Sequence, residues 1–171
     1  MRPGAKTLLT LSSLAVLLVV ATAWGLSAVT APFPGKVDLP TCVDTALKKG
    51  DRVFPDQVVV SVFNAGTREG LAGLTMKQLT EAGFVAGDSG NAPHKARVRR
   101  VEVWSSQRAN PAAVLVASRF GPGTRVVKTR GQALGAGVVV VVGDRFKAVV
   151  KGRKTVVAHT ATTICSPPAT P

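Results

Sequence analysis

The sequence predicts an α+β domain, a mixed sheet with two helices on one face, set behind an N-terminal transmembrane helix. Three observations carry this expectation. An uncharged apolar run occupies Thr7 to Ala31, strand-like segments near Val58 and Val101 are each followed by a helical stretch, and five consecutive valines fill Val138 to Val142. The chain of 171 residues fits one membrane segment and a single core of ordinary domain size.

Arg2, Lys6 and the amino terminus precede the apolar run, which is longer than the roughly 20 residues needed to cross a bilayer as a helix. The positive flank places the N-terminus inside and the remainder outside, and Trp24 falls near the outer interface. A cleaved signal peptide is the competing reading, because Ala21-Thr22-Ala23 and Val29-Thr30-Ala31 resemble cleavage sites. The run exceeds the usual apolar core of such peptides, about 7 to 15 residues, which favours an anchor. Both readings export the folded part. The expected divisions are 1–31 as stub and anchor, 32–56 as a linker leading into the domain, 57–165 as the domain with a β tail, and 166–171 as a proline-rich tail.

Three prolines and a glycine between Ala31 and Pro40 predict a semi-rigid spacer. From Cys42 to Asp56 the pattern is ambiguous, with Thr41 a possible cap for a short helix ending at Gly50. Gln57 to Phe63 predicts a strand closed by Asn64-Ala65-Gly66. Leu71, Leu74, Leu79 and Ala82 recur at helical spacing, so a helix is expected from Arg68 to Ala82, with Thr67 as its cap and Gly83 at its end. Phe84 to Ala86 then predicts a short strand and Gly87 to Pro93 a polar loop.

Arg97 to Trp104 alternates as a strand should, while Asn110-Pro111 opens a small helix that runs from Ala112 to Phe120 and stops at Gly121. Arg125 to Lys128 predicts a short strand. The valines Val138 to Val142 do not alternate with polar residues, which implies a central strand buried on both faces. An extended tail from Phe146 to Ile164 completes a β-α-β-β-α-β order, an arrangement of the split βαβ kind. Cys42 and Cys165 stand at the two ends of this exported domain, and an oxidising compartment permits them to form a disulfide.

Lys and Arg number 22 against 9 Asp and Glu, an excess that attracts polyanions. Lys95, Arg97, Arg99 and Arg100 form the densest cluster, uninterrupted by acid. Export sets nucleic acid aside and leaves anionic wall polymer, lipid head groups or an envelope membrane protein as partners. The bland alternative is a solvated, solubilising face. His94 and His159 are isolated, Ser105-Ser106 has no evident partner, and neither cysteine belongs to a ligand-spaced pair, so no catalytic residue, metal or cofactor is expected. Gly121-Pro122-Gly123 lacks the following helix that a phosphate loop needs. Asn64 and Gly66 are weighed both as ligand contacts and as turn formers, and Asp144 as a turn former.

The run Val58-Val59-Val60-Ser61-Val62-Phe63-Asn64-Ala65-Gly66, with Gly70-Leu71-Ala72, Leu79, Ala82-Gly83-Phe84 and Gly90-Asn91-Ala92, resembles the LytR C-terminal domain family. Val101-Glu102-Val103-Trp104, the Ala112 to Arg119 helix and the valines leading to Gly143 extend the resemblance over roughly Gln57 to Phe146. Where the family often closes on Gly-x-Asp-Phe, this chain has Gly143-Asp144-Arg145-Phe146, with the acid displaced. Larger relatives join this domain to a LytR-CpsA-Psr catalytic domain, for which this chain has no room. The resemblance therefore implies an accessory or interaction module of the bacterial cell envelope. A scaffold subunit of a membrane enzyme complex is the alternative, and an unrecognised envelope hydrolase or transferase the third.

Overall fold

The structure, a computed structural model, describes residues 3–30, 41–93, 96–129 and 134–168. It divides into two compact units, Met1–Asp38 and Leu39–Pro171.

The first unit is a helix, α1, Pro3–Thr30. Its leucines and valines between Leu11 and Val20 are 60–66% exposed and Trp24 is 80% exposed. Among the described residues no helix is long and apolar enough to cross a membrane. The expected N-terminal segment is helical, and the structure does not support its reading as a transmembrane span.

The second unit is built on a five-stranded mixed sheet. Its strands are β3 (Val59–Asn64), β4 (Val85–Asn91), β5 (Val101–Ser105), β6 (Arg125–Lys128) and β7 (Val138–Val142), in the spatial order β4-β3-β7-β5-β6. Strand β3 runs parallel to β4 and to β7, β5 runs parallel to β6, and β5 meets β7 antiparallel. The valine strand β7 is central and every residue in it is buried. Helix α2 (Leu71–Glu81) crosses from β3 to β4, and α3 (Pro111–Ala117) crosses from β5 to β6. Because each crossover joins adjacent strands, neither unit is split as expected; β7 lies between the units instead.

Alternation along the strands sorts the core. Val60, Val62, Val101, Val103, Val138, Val140 and Val142 share one cluster with Leu71 and Leu79 of α2 and Ala113, Leu115 and Val116 of α3, so both helices cover the same face. Each fully buried valine contributes on the order of 1.5 to 3 kcal/mol of apolar transfer free energy. Phe63, Val98, Val139 and Val141 gather on the opposite face, with Trp104 and Leu134 packed against them.

Two small ladders close the unit. Strand β1 (Val43–Leu47) pairs antiparallel with β9 (Thr162–Ser166), and β2 (Arg52–Val53) with β8 (Val156–Val157). Cys42 and Cys165 are joined by a disulfide beside the first ladder, with Cα atoms 5.4 Å apart, a separation within the usual range for such a bridge.

Several boundaries differ from expectation, each because a distant partner decides it. The segment after Cys42 is a strand and not a capped helix, since β9 supplies a five-residue ladder for the β-branched Val43 and Thr45. Helix α2 starts at Leu71 after Gly70, not at Arg68 behind a Thr67 cap, and it ends where Gly83 takes φ +93°, the left-handed stop that glycine allows. The presumed loop from Gly87 to Asn91 continues β4, because β3 offers a parallel edge that outweighs a poor strand composition. Residues Arg97 to Arg100 precede β5 and do not belong to it. Arg99 and Arg100 give their carbonyls to Arg145 and Gly143 N–H groups, at 2.9 and 2.8 Å. Of the expected extended tail only β8 and β9 are strands; Val149 and Arg153 donate N–H to Gln78 Oε1 and Ser118 Oγ, both at 3.0 Å, strapping the connection over the helices.

Candidate functional site

The parallel strands β3 and β4 end together, and β7 ends beside them. At that edge the chain turns through Asn64-Ala65-Gly66-Thr67, and a cleft of about 710 Å³ opens between this loop, Ser89 to Pro93 and Asp144. In open sheets the carboxyl ends of parallel strands are a frequent place for ligands.

The loop's polar groups, however, are spent on the loop itself. Asn64, 9% exposed, donates through Nδ2 to the Arg68 carbonyl at 2.7 Å and accepts the Gly66 N–H at 2.9 Å. Asp144 Oδ1 accepts the N–H groups of Thr67 and Arg68 at 2.8 and 3.2 Å. A Cβ on Gly66 would run into the Asp144 carboxylate, so Gly66 is glycine for want of space. Asn64 and Gly66 therefore serve as loop architecture, and Asp144 ties together positions about 77 residues apart. Asn64→Ala should lower stability by about 1 to 2 kcal/mol, because it removes two part-buried hydrogen bonds, to the Arg68 carbonyl and from the Gly66 N–H. Urea denaturation measures this, and a midpoint equal to wild type would contradict the assignment.

The second place is electrostatic. Arg97, Arg99 and Arg100 are exposed and, with Arg125 from the start of β6, line a groove of about 350 Å³ that also contains Glu102 and Thr124. Lys95 lies outside the described residues. Arg100 Nη2 donates to the Phe120 carbonyl at 2.6 Å, which fixes one guanidinium at the groove. No ion pair engages these arginines among the described residues, so three guanidiniums keep their donors available to solvent or to an anion. Arg97 and Arg99 flank buried Val98 and reach the same groove as Arg100. The expected strand from Arg97 would alternate Arg99 and Arg100 to opposite faces; the segment is not strand, so pleat alternation does not apply and all three reach the groove. The sequence shows Arg125 as a basic residue apart from the cluster, because only the β5–β6 pairing, Glu102 opposite Arg125, brings it there.

A third groove, of about 610 Å³, lies beside Trp104 and Cys165, between the end of β5, the start of α3 at Asn110 and Ala112, the start of β7 and strand β9. Trp104 Nε1 donates to Glu102 Oε2 at 3.0 Å, which holds the indole.

Among the described residues no group of three or more His, Cys, Asp or Glu could hold a metal ion. His159 is exposed in the β8–β9 connection, while His94 lies outside the described residues.

Residues 57–146, more than half of the chain, match the family described as LytR cell envelope-related transcriptional attenuator. The chain belongs to this family. The matched span begins at the 3-10 turn before β3 and ends at Phe146, just past Asp144, so the family domain contains the whole five-stranded sheet and both helices. It includes the arginine groove and leaves out the disulfide and the β1–β9 ladder. No curated protein matches the chain. Among solved structures, the soluble domain of a conserved hypothetical secreted protein from Mycobacterium marinum is similar at 22% identity and a TM-score of 0.46, over 62% of this chain and 79% of that one.

Proposed function

We propose that this protein is a non-catalytic interaction module of the bacterial cell envelope that docks anionic wall polymer through the groove of Arg97, Arg99, Arg100 and Arg125. In this reading the N-terminal helix is a single-pass anchor with its N-terminus inside and the domain outside. The observation that carries the proposal is the convergence of four arginines from two segments on one groove, where the one carboxylate among the described lining residues, Glu102, accepts the Trp104 Nε1–H. Planar guanidiniums suit bidentate contact with phosphate or carboxylate groups. The formal net charge of +13 adds attraction at longer range, and membership of an envelope-related family supports the compartment. The uncovered apolar side chains of α1 support an anchor, and the disulfide supports an oxidising environment.

The test is retention on purified anionic wall polymer. Arg97→Gln with Arg99→Gln should cut retention several-fold while leaving the melting temperature unchanged, because both side chains are exposed and neither joins the core. Full retention by the double variant would move the case to a protein partner and to the scaffold reading. A C-terminal reporter found on the cytoplasmic side would overturn the topology.

A further inference from the structure

The groove beside Trp104 differs in chemistry from the arginine groove. Among its described lining residues are no Lys, Arg or His, while Asp44 contributes a carboxylate. An anion entering the groove would meet that carboxylate. Its volume of about 610 Å³ falls inside the usual small-molecule range of about 300 to 1,000 Å³. Buried Val139 and Ile164 contribute apolar lining, and Trp104 supplies a half-buried indole.

Around this apolar patch stand side chains with unspent hydrogen-bonding capacity. Asp44 and Ser106 are exposed. Together with Thr129 and Thr163 they line the groove, and their side chains make no hydrogen bond among the described residues. Trp104 is not free to swing, because its Nε1 is held by Glu102 two residues back on the same face of β5. The β1–β9 ladder, which brings Asp44 opposite Cys165, and the disulfide fix the far wall.

We infer that this groove binds a neutral pyranose glycan. A pyranose ring offers a flat face of C–H groups that packs on an indole, and hydroxyls around its rim that need donors and acceptors in the same plane. A carboxylate accepts two neighbouring hydroxyls in charge-assisted bonds, and serine and threonine hydroxyls both donate and accept. An acyl chain would leave these groups unpaired. A polyanion would meet the Asp44 carboxylate, with no cation among the described lining residues to offset it. The proposal relies on the envelope reading only for where such glycans are met, and it uses none of the arginines. Loss of salt-sensitive polymer retention and loss of glycan binding are therefore separate outcomes.

The sequence contains two tryptophans, Trp24 and Trp104, so the Trp24→Phe full-length chain reports on this groove alone. In a zwitterionic detergent without sugar head groups, titration with cellotetraose and with the N-acetylglucosamine tetramer should give a saturable change in tryptophan fluorescence. The change should be equal in low and high salt, since no ion pair forms. Asp44→Asn should weaken binding roughly tenfold or more, without moving the melting temperature. Trp104→Phe, followed calorimetrically, should keep part of the affinity because a ring remains. Three results would overturn the proposal: no saturable change with either glycan, tighter binding of a uronic acid oligomer than of the neutral ones, or affinity indifferent to Asp44→Asn.

Discussion

Cys42→Ser or Cys165→Ser is expected to destabilise the domain by about 2 to 5 kcal/mol. The two cysteines are 123 residues apart in sequence, so their bond closes a loop around nearly the whole domain. Chain entropy alone assigns such a closure about 4 to 5 kcal/mol, reduced in practice by structure left in the unfolded chain. The native geometry asks little in return, since the β1–β9 ladder already aligns Asp44 with Cys165 and Val43 with Ser166. The melting temperature should fall by roughly 10 °C or more, and a reducing agent should reproduce the shift in the wild type. An unchanged melting curve under reduction would show that the ladder suffices without the bond.

Gly137→Ala should be comparably severe. Gly137 sits at φ +70° immediately before β7, and an added Cβ would collide with the Val59 carbonyl oxygen and come within 2.7 Å of its carbonyl carbon. Val59 opens β3, where its neighbour Val60 pairs with Val138, so neither backbone can withdraw without breaking the central ladder. The left-handed conformation costs about 1 to 2 kcal/mol for a residue with a Cβ, and overpacking adds about 1 to 3 kcal/mol. Gly123 is the control, with φ +81° but nothing within 4 Å of its notional Cβ. Gly123→Ala should therefore show only the conformational part, about 1 to 2 kcal/mol. Equal effects in chemical denaturation would contradict the packing argument.

Elements whose signals are local were legible in the sequence. The five valines imply a strand buried on both faces and β7 is central; Asn110 caps α3, accepting the Ala112 N–H at 3.0 Å, as Asn-Pro at a helix start implies. Elements that exist because of a remote partner were not. Strand β4 contains Gly87, Asp88, Ser89 and Gly90, which read as loop, yet Ser61 Oγ accepts the Asp88 N–H at 3.0 Å and the Asp88 carboxylate accepts the Ala136 N–H at 3.0 Å. Such contacts span 27 and 48 residues and leave no local periodicity. The candidate site divides in the same way. The Arg97 to Arg100 run is visible as composition, but Arg125 joins it only through strand pairing. Asp144 looked like a displaced motif residue, whereas it organises the loop after β3. The displaced acid was the one available signal, and its partners Thr67 and Arg68 could not be named without the fold.

The central claim is that exposed guanidiniums of one groove hold an anionic envelope polymer, and co-sedimentation of the full-length protein with that purified polymer across a salt series tests it most directly. Exposed charge contacts are screened beyond about 8 to 10 Å at physiological ionic strength and more closely at higher salt. The bound fraction should therefore fall steeply as salt rises, and the Arg97→Gln, Arg99→Gln variant should show both weaker binding and a shallower fall. Binding that persists in high salt, with the variant and the wild type superimposed, would contradict the account.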